Sequence, residues 1–293
     1  MYAITGASGK VGGELARRLL AAGESVRVVV RDAAKGAAWA ARGCEVALAE
    51  MESADRLATA FAGMDGVFIL PPSEFDPAPG YPEARAVIDA VTAALSTARP
   101  NKVLCLSTIG ADAPHDNLLT QRTLLEQALS ALGIPVTFLR PAWFMENALW
   151  DVASARDEGI LHSFLQPADK AFPMVATKDI GALAADLIRQ NWTGMRIVEL
   201  EGPTRVSSND LAQAFAEALG HPVRVGIVPR PSWATLFRSQ GMKNPQPRVR
   251  MLDGFNEDWI AFRDQGRLAV KGATPLSEVI EALVAKAGRG EAA

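Results

Sequence analysis

A glycine-rich stretch at the start of the chain constrains the fold more than any other feature. Tyr2–Thr5 is an apolar segment of strand length, and Gly6–Gly12 follows it with the spacing G-x-x-G-x-x-G. Gly13–Ala22 has the apolar periodicity of an amphipathic helix, and Val26–Val30 is a second, continuously apolar strand. A strand, a glycine turn, a helix and a strand in this order are typical of a turn that cradles a dinucleotide pyrophosphate.

Each glycine of this turn has a predicted physical role. Gly6 lets the chain leave the strand sharply, Gly9 removes the Cβ where a pyrophosphate would approach, and Gly12 lets the helix pack closely on the sheet. Unpaired N–H groups and the helix dipole favour an anion at this helix start. The predicted donors are the backbone amides of Ser8, Gly9, Lys10 and Val11. The alternative is a plain tight turn that binds no ligand.

Strand and helix patterns then alternate along the chain. Further strands are predicted at Glu45–Ala49, Val67–Leu70, Lys102–Leu106, Val136–Arg140 and Arg196–Leu200. Helices are predicted at Ala33–Arg42, Ser53–Phe61, Pro82–Ala98, Asn117–Leu132 and Asp179–Arg189. This alternation predicts an α/β fold with a doubly wound, mostly parallel Rossmann-type sheet covered by helices on both faces.

The alternation of strand and helix patterns stops after Pro141, and an irregular region rich in aromatic residues follows. We therefore predict a dinucleotide-binding domain made of residues 1–141 plus about 171–200. Residues of about 142–170 plus 201–293 would form a small C-terminal α+β lobe that binds the substrate. The tail from about Gly288 is expected to fray.

Composition and charge exclude several classes of function. The chain has 293 residues, 49% of them hydrophobic and 22% charged, as in a globular protein with a proper core. Its net charge of −3 gives no basic surplus for nucleic acid or an anionic membrane, and no apolar run has the length of a membrane span. Because residue 3 already lies in the first strand, no leader is expected and the predicted location is the cytoplasm. The expected partner is a small-molecule substrate, and a homodimer stays open.

Cysteine and histidine positions predict neither a disulfide nor a metal site. Cys44 and Cys105 both lie beside apolar strands, where buried thiols are expected. The histidines, at positions 115, 162 and 221, have no metal-ligand spacing.

Residues after the second and third strands are candidates for the adenosine end of a dinucleotide, because ligands of open α/β sheets bind beyond the carboxyl ends of the strands. The planar donor fork of Arg31 suits a 2′-phosphate, and Lys35 lies one helical turn further on. Asp32 weakens this prediction, since it could cap the next helix or bind a ribose. NADP(H) is therefore preferred and NAD(H) stays open. Glu50 could accept a hydrogen bond from adenine or be a surface residue.

A second group of candidates would lie near the nicotinamide and the substrate. The predicted catalytic group is Ser107, Thr108 and Arg122; the two hydroxyls could instead cap a loop, and the arginine could be a surface charge. Leu70, Pro71 and Asn147 are predicted to contact the cofactor. His115, Trp143 and Phe144 are predicted to line the substrate pocket, although surface exposure of the histidine and core packing of the aromatic residues are alternatives.

The chain lacks the tyrosine acid common in reductases with such a sheet. Its only tyrosines are Tyr2 and Tyr81, and neither begins a Tyr-x-x-x-Lys pair. The proton for a reduction would then come from water, another residue or the substrate. This favours acceptors that need little acid catalysis, such as quinones, azo dyes, enones or imines, with hydride supplied by the cofactor.

Several motifs together resemble a known family. Thr5–Gly12, Val30–Asp32, Gly63–Phe68, Leu106–Ala111 and above all Gly133–Asn147 are similar to the NmrA-like, atypical short-chain dehydrogenase/reductase proteins, which include quinone and azo reductase-like enzymes. The resemblance covers nearly the whole chain. It implies a Rossmann-type domain, a small C-terminal substrate lobe and NADP(H) as the usual ligand.

Two departures from the family pattern affect the predicted chemistry. Many relatives carry a lysine where this chain places Arg122, and an aspartate where it has Glu50. An arginine is a poor proton donor, so lysine-based catalysis is in doubt. The family also includes proteins that sense the dinucleotide without turnover. An NADPH-dependent oxidoreductase is the first hypothesis, and a non-catalytic NADP(H)-sensing regulator that binds a partner protein is the second; a lyase or isomerase is less favoured.

Overall fold

The computed structural model describes residues 1–288. Its strands are β1 (Tyr2–Thr5), β2 (Val26–Val30), β3 (Glu45–Leu48), β4 (Gly66–Ile69), β5 (Val103–Leu106), β6 (Val136–Pro141), β7 (Trp143–Phe144), β8 (Ile160–Ser163), β9 (Met174–Val175), β10 (Met195–Glu201), β11 (Arg224–Ile227) and β12 (Val270–Lys271). Its α-helices are α1 (Lys10–Ala21), α2 (Ala33–Ala40), α3 (Ala54–Phe61), α4 (Pro82–Ala98), α5 (Thr120–Ser130), α6 (Val152–Glu158), α7 (Thr177–Arg189), α8 (Ser208–Leu219), α9 (Trp233–Ser239), α10 (Gln246–Asn256) and α11 (Leu276–Gly288). Short 3₁₀ helices lie at Met145–Asp151, Arg230–Ser232 and Arg263–Gly266. The predicted fraying of the tail concerns residues 289–293, which lie outside the described range.

Eight strands form one sheet in the order β12-β10-β6-β5-β4-β1-β2-β3. Within it, Ile4 of β1 lies opposite Val28 of β2 and Phe68 of β4, and both pairings are parallel. The chain therefore winds outward from β1 through β2 and β3 on one side, and from β4 through β5 and β6 on the other. This confirms the predicted α/β, doubly wound Rossmann-type sheet. The winding direction changes between β1 and β4, where such folds bind ligands.

The continuous apolar runs explain why the central strands lie inside the sheet. All residues of β1, β4, β5 and β6 are buried, as expected for strands with helices over both faces. One core cluster brings together Phe61 of α3, Leu95 of α4, Leu125 of α5 and Phe138 of β6. This packing fixes the positions at which β4, β5 and β6 end.

The chain divides into two units. Among the described residues, the first comprises 1–112, 119–140 and 180–198, and the second comprises 113–118, 141–179 and 199–288. Residues 171–179 thus lie in the second unit, although the sequence assigned them to the dinucleotide-binding domain. The reason is local pairing, because Phe172 and Val206 exchange two backbone hydrogen bonds of 2.9 Å and β9 pairs with β7.

Several short elements of the second half were not predicted. The last predicted sheet strand, β10, is followed by β12, which pairs in parallel with it at Leu200 and Glu201. Only two residues long and exposed, β12 has no alternating pattern that a sequence could show. Helices α6, α9, α10 and α11 also lie in segments for which no helix was predicted. None of the helices in the described range is long and apolar enough to cross a bilayer.

Candidate functional site

The turn between β1 and α1 requires glycine at two of its positions for internal reasons. Gly6 has a left-handed backbone with φ of +68°, and a Cβ on it would lie 2.7 Å from Leu70 Cδ2. A Cβ on Gly12 would lie 2.4 Å from the backbone oxygen of Gly6. Both glycines therefore let the start of α1 pack against the ends of β1 and β4, as the sequence predicted for sharp turning and close packing.

Gly9 differs from these two glycines, because the protein itself does not demand it. A Cβ on Gly9 would meet only the Gly6 oxygen, at 3.3 Å, and Gly9 is exposed in an extended conformation. Gly9 is the N-cap of α1, which begins at Lys10, three residues earlier than predicted, and no side chain caps its first turn. The first N–H groups of the helix are thus available to an anion beside a residue without a Cβ. This geometry fits a dinucleotide pyrophosphate.

Some side chains of this turn are exposed to solvent and others are buried. Ser8 and Lys10 are exposed, whereas Val11 is buried against the sheet. Thr5, which the sequence did not single out, is buried; its hydroxyl donates to Phe68 O at 3.0 Å and accepts from Leu70 N at 2.7 Å. Thr5 thereby ties the end of β1 to Leu70 and the following Pro71. A threonine in an otherwise apolar strand is the sequence signal that could have identified this buried hydroxyl.

Of the three charged residues after β2, one hydrogen-bonds to the protein and two make no such bond within the described range. Asp32 Oδ1 accepts the Ala34 N–H at 2.8 Å and so caps α2. Arg31 and Lys35 are exposed and make no hydrogen bond or ion pair within residues 1–288. Glu50, after β3, is likewise exposed. The carboxylate of Asp32 therefore stabilises the start of α2, whereas the Arg31 guanidinium is available for an anion.

Ser107, directly after β5, makes a hydrogen bond inside the protein. Its side chain is buried, and its hydroxyl donates to Glu126 Oε1 of α5. Glu126 also accepts from Arg140 Nε at 2.9 Å and Nη2 at 2.7 Å, while Arg140 Nη1 donates to Asp112 at 2.6 Å. Burial opposes the charge of Arg140, but its bonds to Glu126 and Asp112 outweigh this and raise the pKa of the guanidinium.

This network includes Glu126, which the sequence did not single out. Glu126 lies between Leu125 and Leu129 on the buried face of α5. A carboxylate in an apolar stripe signals a buried partner, and Arg140 at the end of β6 supplies it. Thr108, next to Ser107, is half-buried, and its hydroxyl makes no hydrogen bond in the described part of the chain.

Arg122 holds the loop after β4. Its Nη2 donates to Ser73 Oγ at 2.7 Å and to Pro71 O at 3.2 Å. Next to it, Gln121 Nε2 donates to Glu74 O at 2.9 Å. Burial lowers the pKa of the Arg122 guanidinium. The first turn of α5 therefore positions the loop that contains Pro71.

In the second unit, α10 organises the predicted substrate residues. The ring of Trp143 meets Phe255 of α10 edge-on, with centroids 5.2 Å apart, and His115 meets Trp259 in the same way at 5.2 Å. His115 is exposed, and it lies in a loop, since α5 starts only at Thr120 and Asn117 Nδ2 donates to His115 O at 2.8 Å. The helix α10 and the residue Trp259 after it thus contact two of the predicted substrate residues, and the sequence did not identify either.

Two further predicted residues lie beside Trp143. Phe144 is half-buried in β7, where it pairs with Val175 of β9. Asn147 is half-buried in the 3₁₀ helix Met145–Asp151, and its side chain makes no hydrogen bond to residues that the structure describes. Between them, Glu146 accepts the backbone N–H of Thr177 at 2.9 Å and fixes the start of α7.

Both cysteines are buried free thiols, as predicted. Burial raises the pKa of both thiols, so neither is a reactive thiolate at neutral pH. Within residues 1–288, no group of three or more histidine, cysteine, aspartate or glutamate side chains is placed to hold a metal ion.

Comparison with known proteins identifies the family. A model of the NmrA-like family matches residues 2–250. The chain belongs to this family. The match includes the glycine turn and the segment that ends at Asn147, so the predicted resemblance is confirmed.

Relatives and solved structures also resemble this chain over most of its length. The NAD(P)H azoreductase of Xenophilus azovorans is 30% identical over 227 residues, which cover 76% of this chain and 76% of that protein. Quinone oxidoreductase 2 of Escherichia coli strain K12 is 28% identical over 245 residues, covering 83% and 82%. The structure of the E. coli NADPH-dependent quinone oxidoreductase complexed with NADPH has a TM-score of 0.79 at 23% identity, covering 97% of this chain and 99% of that one. These relatives are NAD(P)H-dependent reductases, and the structural match shows the fold.

Proposed function

We propose that this protein is an NADPH-dependent oxidoreductase that reduces a small, flat, largely apolar acceptor of the quinone, azo, enone or imine type. The observation that carries the proposal is the uncapped first turn of α1 beside Gly9, together with an Arg31 guanidinium that has no partner in the described chain. The names of two relatives, an azoreductase and a quinone oxidoreductase, support the acceptor class.

The first unit would hold the cofactor. Backbone N–H groups of Lys10 and Val11, beside Ser8, would bind the pyrophosphate, with Gly6 and Gly12 setting the turn. The N–H of Gly9 already donates to Gly6 O at 2.9 Å, so Gly9 would contribute the space left by its missing Cβ. Arg31 and Lys35 bind the 2′-phosphate, because a planar fork and a second cation suit a dianion. The cap that Asp32 provides for α2 supports NADP(H) over NAD(H), since that carboxylate already has a structural task. Glu50, which is exposed after β3, would accept a hydrogen bond from the adenine amino group.

The reducing end of the site would use few protein groups. The bound nicotinamide supplies the hydride. Leu70 and Pro71 form the wall next to it, and Arg122 keeps that wall in place through Pro71 O and Ser73. The Thr108 hydroxyl orients the carboxamide or the acceptor, whereas the Ser107 hydroxyl is directed to Glu126 and positions the end of β5. Without a tyrosine acid, the proton comes from water.

The second unit would bind the acceptor. Trp143 and Phe144 offer aromatic surfaces, His115 lies on the exposed loop beside Trp259, and Asn147 offers an amide without a partner in the described residues. Flat conjugated acceptors suit such surfaces because stacking needs no directional polar contacts.

Replacement of Arg31 tests the cofactor assignment. In Arg31→Ala we expect NADPH to bind about 10- to 100-fold more weakly, because charge-assisted hydrogen bonds contribute about 1.5 to 3 kcal/mol. NADH binding should change less than about twofold. Fluorescence titration of both cofactors against wild type and Arg42→Ala, an exposed neighbour, measures the effect. An equal loss for both cofactors, or none, would contradict the 2′-phosphate assignment.

Turnover separates the two functional hypotheses. NADPH oxidation is followed with a panel of quinones, azo dyes, enones and imines. Turnover with at least one class supports the reductase. Saturable NADPH binding without turnover across the panel, together with equal or tighter NADP⁺ binding, favours a sensor. The engagement of Ser107 by Glu126 is the observation that keeps this second function in consideration.

A further inference from the structure

Arg248 lies in the first turn of α10 and lacks the partner that a half-buried cation needs. Its guanidinium carbon lies 4.4 Å from the ring centroid of Phe237, and Nη1 approaches Met242 Sδ at 3.9 Å. No carboxylate or carbonyl of the described chain accepts a hydrogen bond from it. Burial accordingly lowers the pKa of Arg248. A ring face and a thioether attract the cation weakly but do not neutralise it.

Two other arginines of the same unit do find acceptors. Arg250, two residues further along α10, donates to Asp116 O at 2.9 Å. Arg230 pairs with both carboxylate oxygens of Asp253, the longer contact being 2.7 Å. Arg248 differs from these two arginines, because the only contacts of its half-buried guanidinium within the described residues are the Phe237 ring and Met242 Sδ.

The guanidinium of Arg248 lies against a buried aromatic cluster. Phe237 lies 5.2 Å from Phe164, and Phe164 lies 5.7 Å from Trp233, with Phe237 and Trp233 both fully buried. A guanidinium stacked on a ring keeps its N–H fork directed sideways, in its own plane. That fork matches the geometry of a carboxylate or sulfonate.

The position of Arg248 links it to the predicted substrate residues. Phe255, which contacts Trp143, follows Arg248 by seven residues on α10, so both lie on the same face, two turns apart. The segment that carries His115 is hydrogen-bonded to the residue just before Arg248, since Leu118 N donates to Pro247 O at 2.9 Å. One helix therefore carries an aromatic contact at one end and an unpartnered cation at the other.

We propose that Arg248 is an anion subsite of the acceptor pocket and that it selects flat conjugated acceptors bearing a carboxylate or sulfonate. This inference rests on the proposed reductase function and narrows its substrate class. The acidic substituent binds the guanidinium and takes no part in the hydride transfer. The conjugated ring lies toward Phe255 and Trp143.

Matched acceptors test the subsite. Wild type, Arg248→Met, Arg248→Lys and the control Arg238→Met are assayed with 1,4-naphthoquinone and its 2-sulfonate. We expect Arg248→Met to lower kcat/KM for the sulfonate about 10- to 100-fold, with less than a twofold change for the neutral quinone. Arg248→Lys should lose several-fold, because a point charge replaces the fork. Arg238 is exposed on α9, so its replacement removes the same charge without touching the pocket and should change neither value.

A binding measurement keeps the test independent of turnover. Naphthalene-2-sulfonate is titrated calorimetrically into each variant, after circular dichroism has shown that it is folded. At least tenfold weaker binding to Arg248→Met, with Arg238→Met as wild type, supports the subsite even if no quinone is reduced and the proposed function fails. Equal binding by all variants, or an equal loss for both quinones, overturns it and leaves Arg248 as a cover for Phe237. If Arg248→Met does not fold, Arg248→Lys decides: a several-fold loss for the sulfonates alone supports the subsite, and no loss, or an equal loss for both quinones, overturns it.

Discussion

The turn after β1 and the segment after β5 both follow buried strands of the first unit, but their polar groups differ in what they contact. After β1, the first turn of α1 is uncapped, and Arg31 after the neighbouring β2 has no partner within residues 1–288. After β5, Ser107 and the nearby Arg122 both hydrogen-bond to the protein. A polar residue at the carboxyl end of a strand is therefore insufficient evidence for ligand contact. Groups without a partner are candidates to bind, and engaged groups position them.

The largest expected effect concerns the network behind β5. Glu126→Ala removes the carboxylate that binds Ser107 and Arg140, and it leaves a buried guanidinium with only Asp112. We expect the free energy of unfolding to fall by about 3 to 5 kcal/mol. Urea unfolding measures this, with the exposed neighbour Gln127→Ala as a control that should change it by less than about 0.5 kcal/mol. An unchanged stability with lost turnover would instead make Glu126 a direct participant in the reaction.

The next effect separates the two kinds of glycine in the turn. Gly12→Ala places a Cβ 2.4 Å from the Gly6 oxygen, so we expect a loss of about 2 kcal/mol or more in stability. Gly9→Ala meets that oxygen only at 3.3 Å and should stay within about 1 kcal/mol of wild type. It should nevertheless bind NADPH at least about tenfold more weakly, since its methyl group occupies the space of the pyrophosphate. Thermal unfolding and fluorescence titration give the two values. Wild-type affinity in Gly9→Ala would show that no phosphate lies against this residue.

The smallest effect distinguishes adjacent hydroxyls. Ser107→Ala removes one hydrogen bond to Glu126 and should cost about 1 to 2 kcal/mol of stability with little change in kcat. Thr108→Val should keep stability within about 0.5 kcal/mol while lowering kcat about tenfold, because one orienting hydrogen bond is lost. Chemical unfolding and steady-state kinetics on both variants check this. The reverse pattern would return the catalytic role to Ser107.

The bounds of the central strands could be predicted from the sequence, but those of some other elements could not. The strands β1, β2, β4, β5 and β6 were placed within one or two residues, because buried parallel strands are continuous apolar runs. The helix α5 was predicted from Asn117, but it starts at Thr120 since the Asn117 side chain holds a turn through His115 O. The strand β12 has too few residues for any pattern, and only its pairing with β10 defines it.

For the candidate site, the sequence by itself determined the glycine turn. The strand, the glycine spacing and the helix start are local features, and backbone sterics within Gly6–Gly12 determine their shape. Arg31 and Asp32 were identified together, but only the structure showed that Asp32 caps α2 and that Arg31 is unengaged.

The tertiary structure alone decided which of the remaining polar residues have partners. Glu126 and Arg140 are 14 residues apart in the chain, and Arg122 reaches Ser73 across 49 residues. Such contacts depend on how helices pack on strands, which no short pattern encodes. Arg248 could be identified as a candidate only from the structure, which shows its guanidinium against the ring of Phe237. Local turn chemistry is thus determined by sequence, whereas the pairing of buried charges is a property of the packed chain.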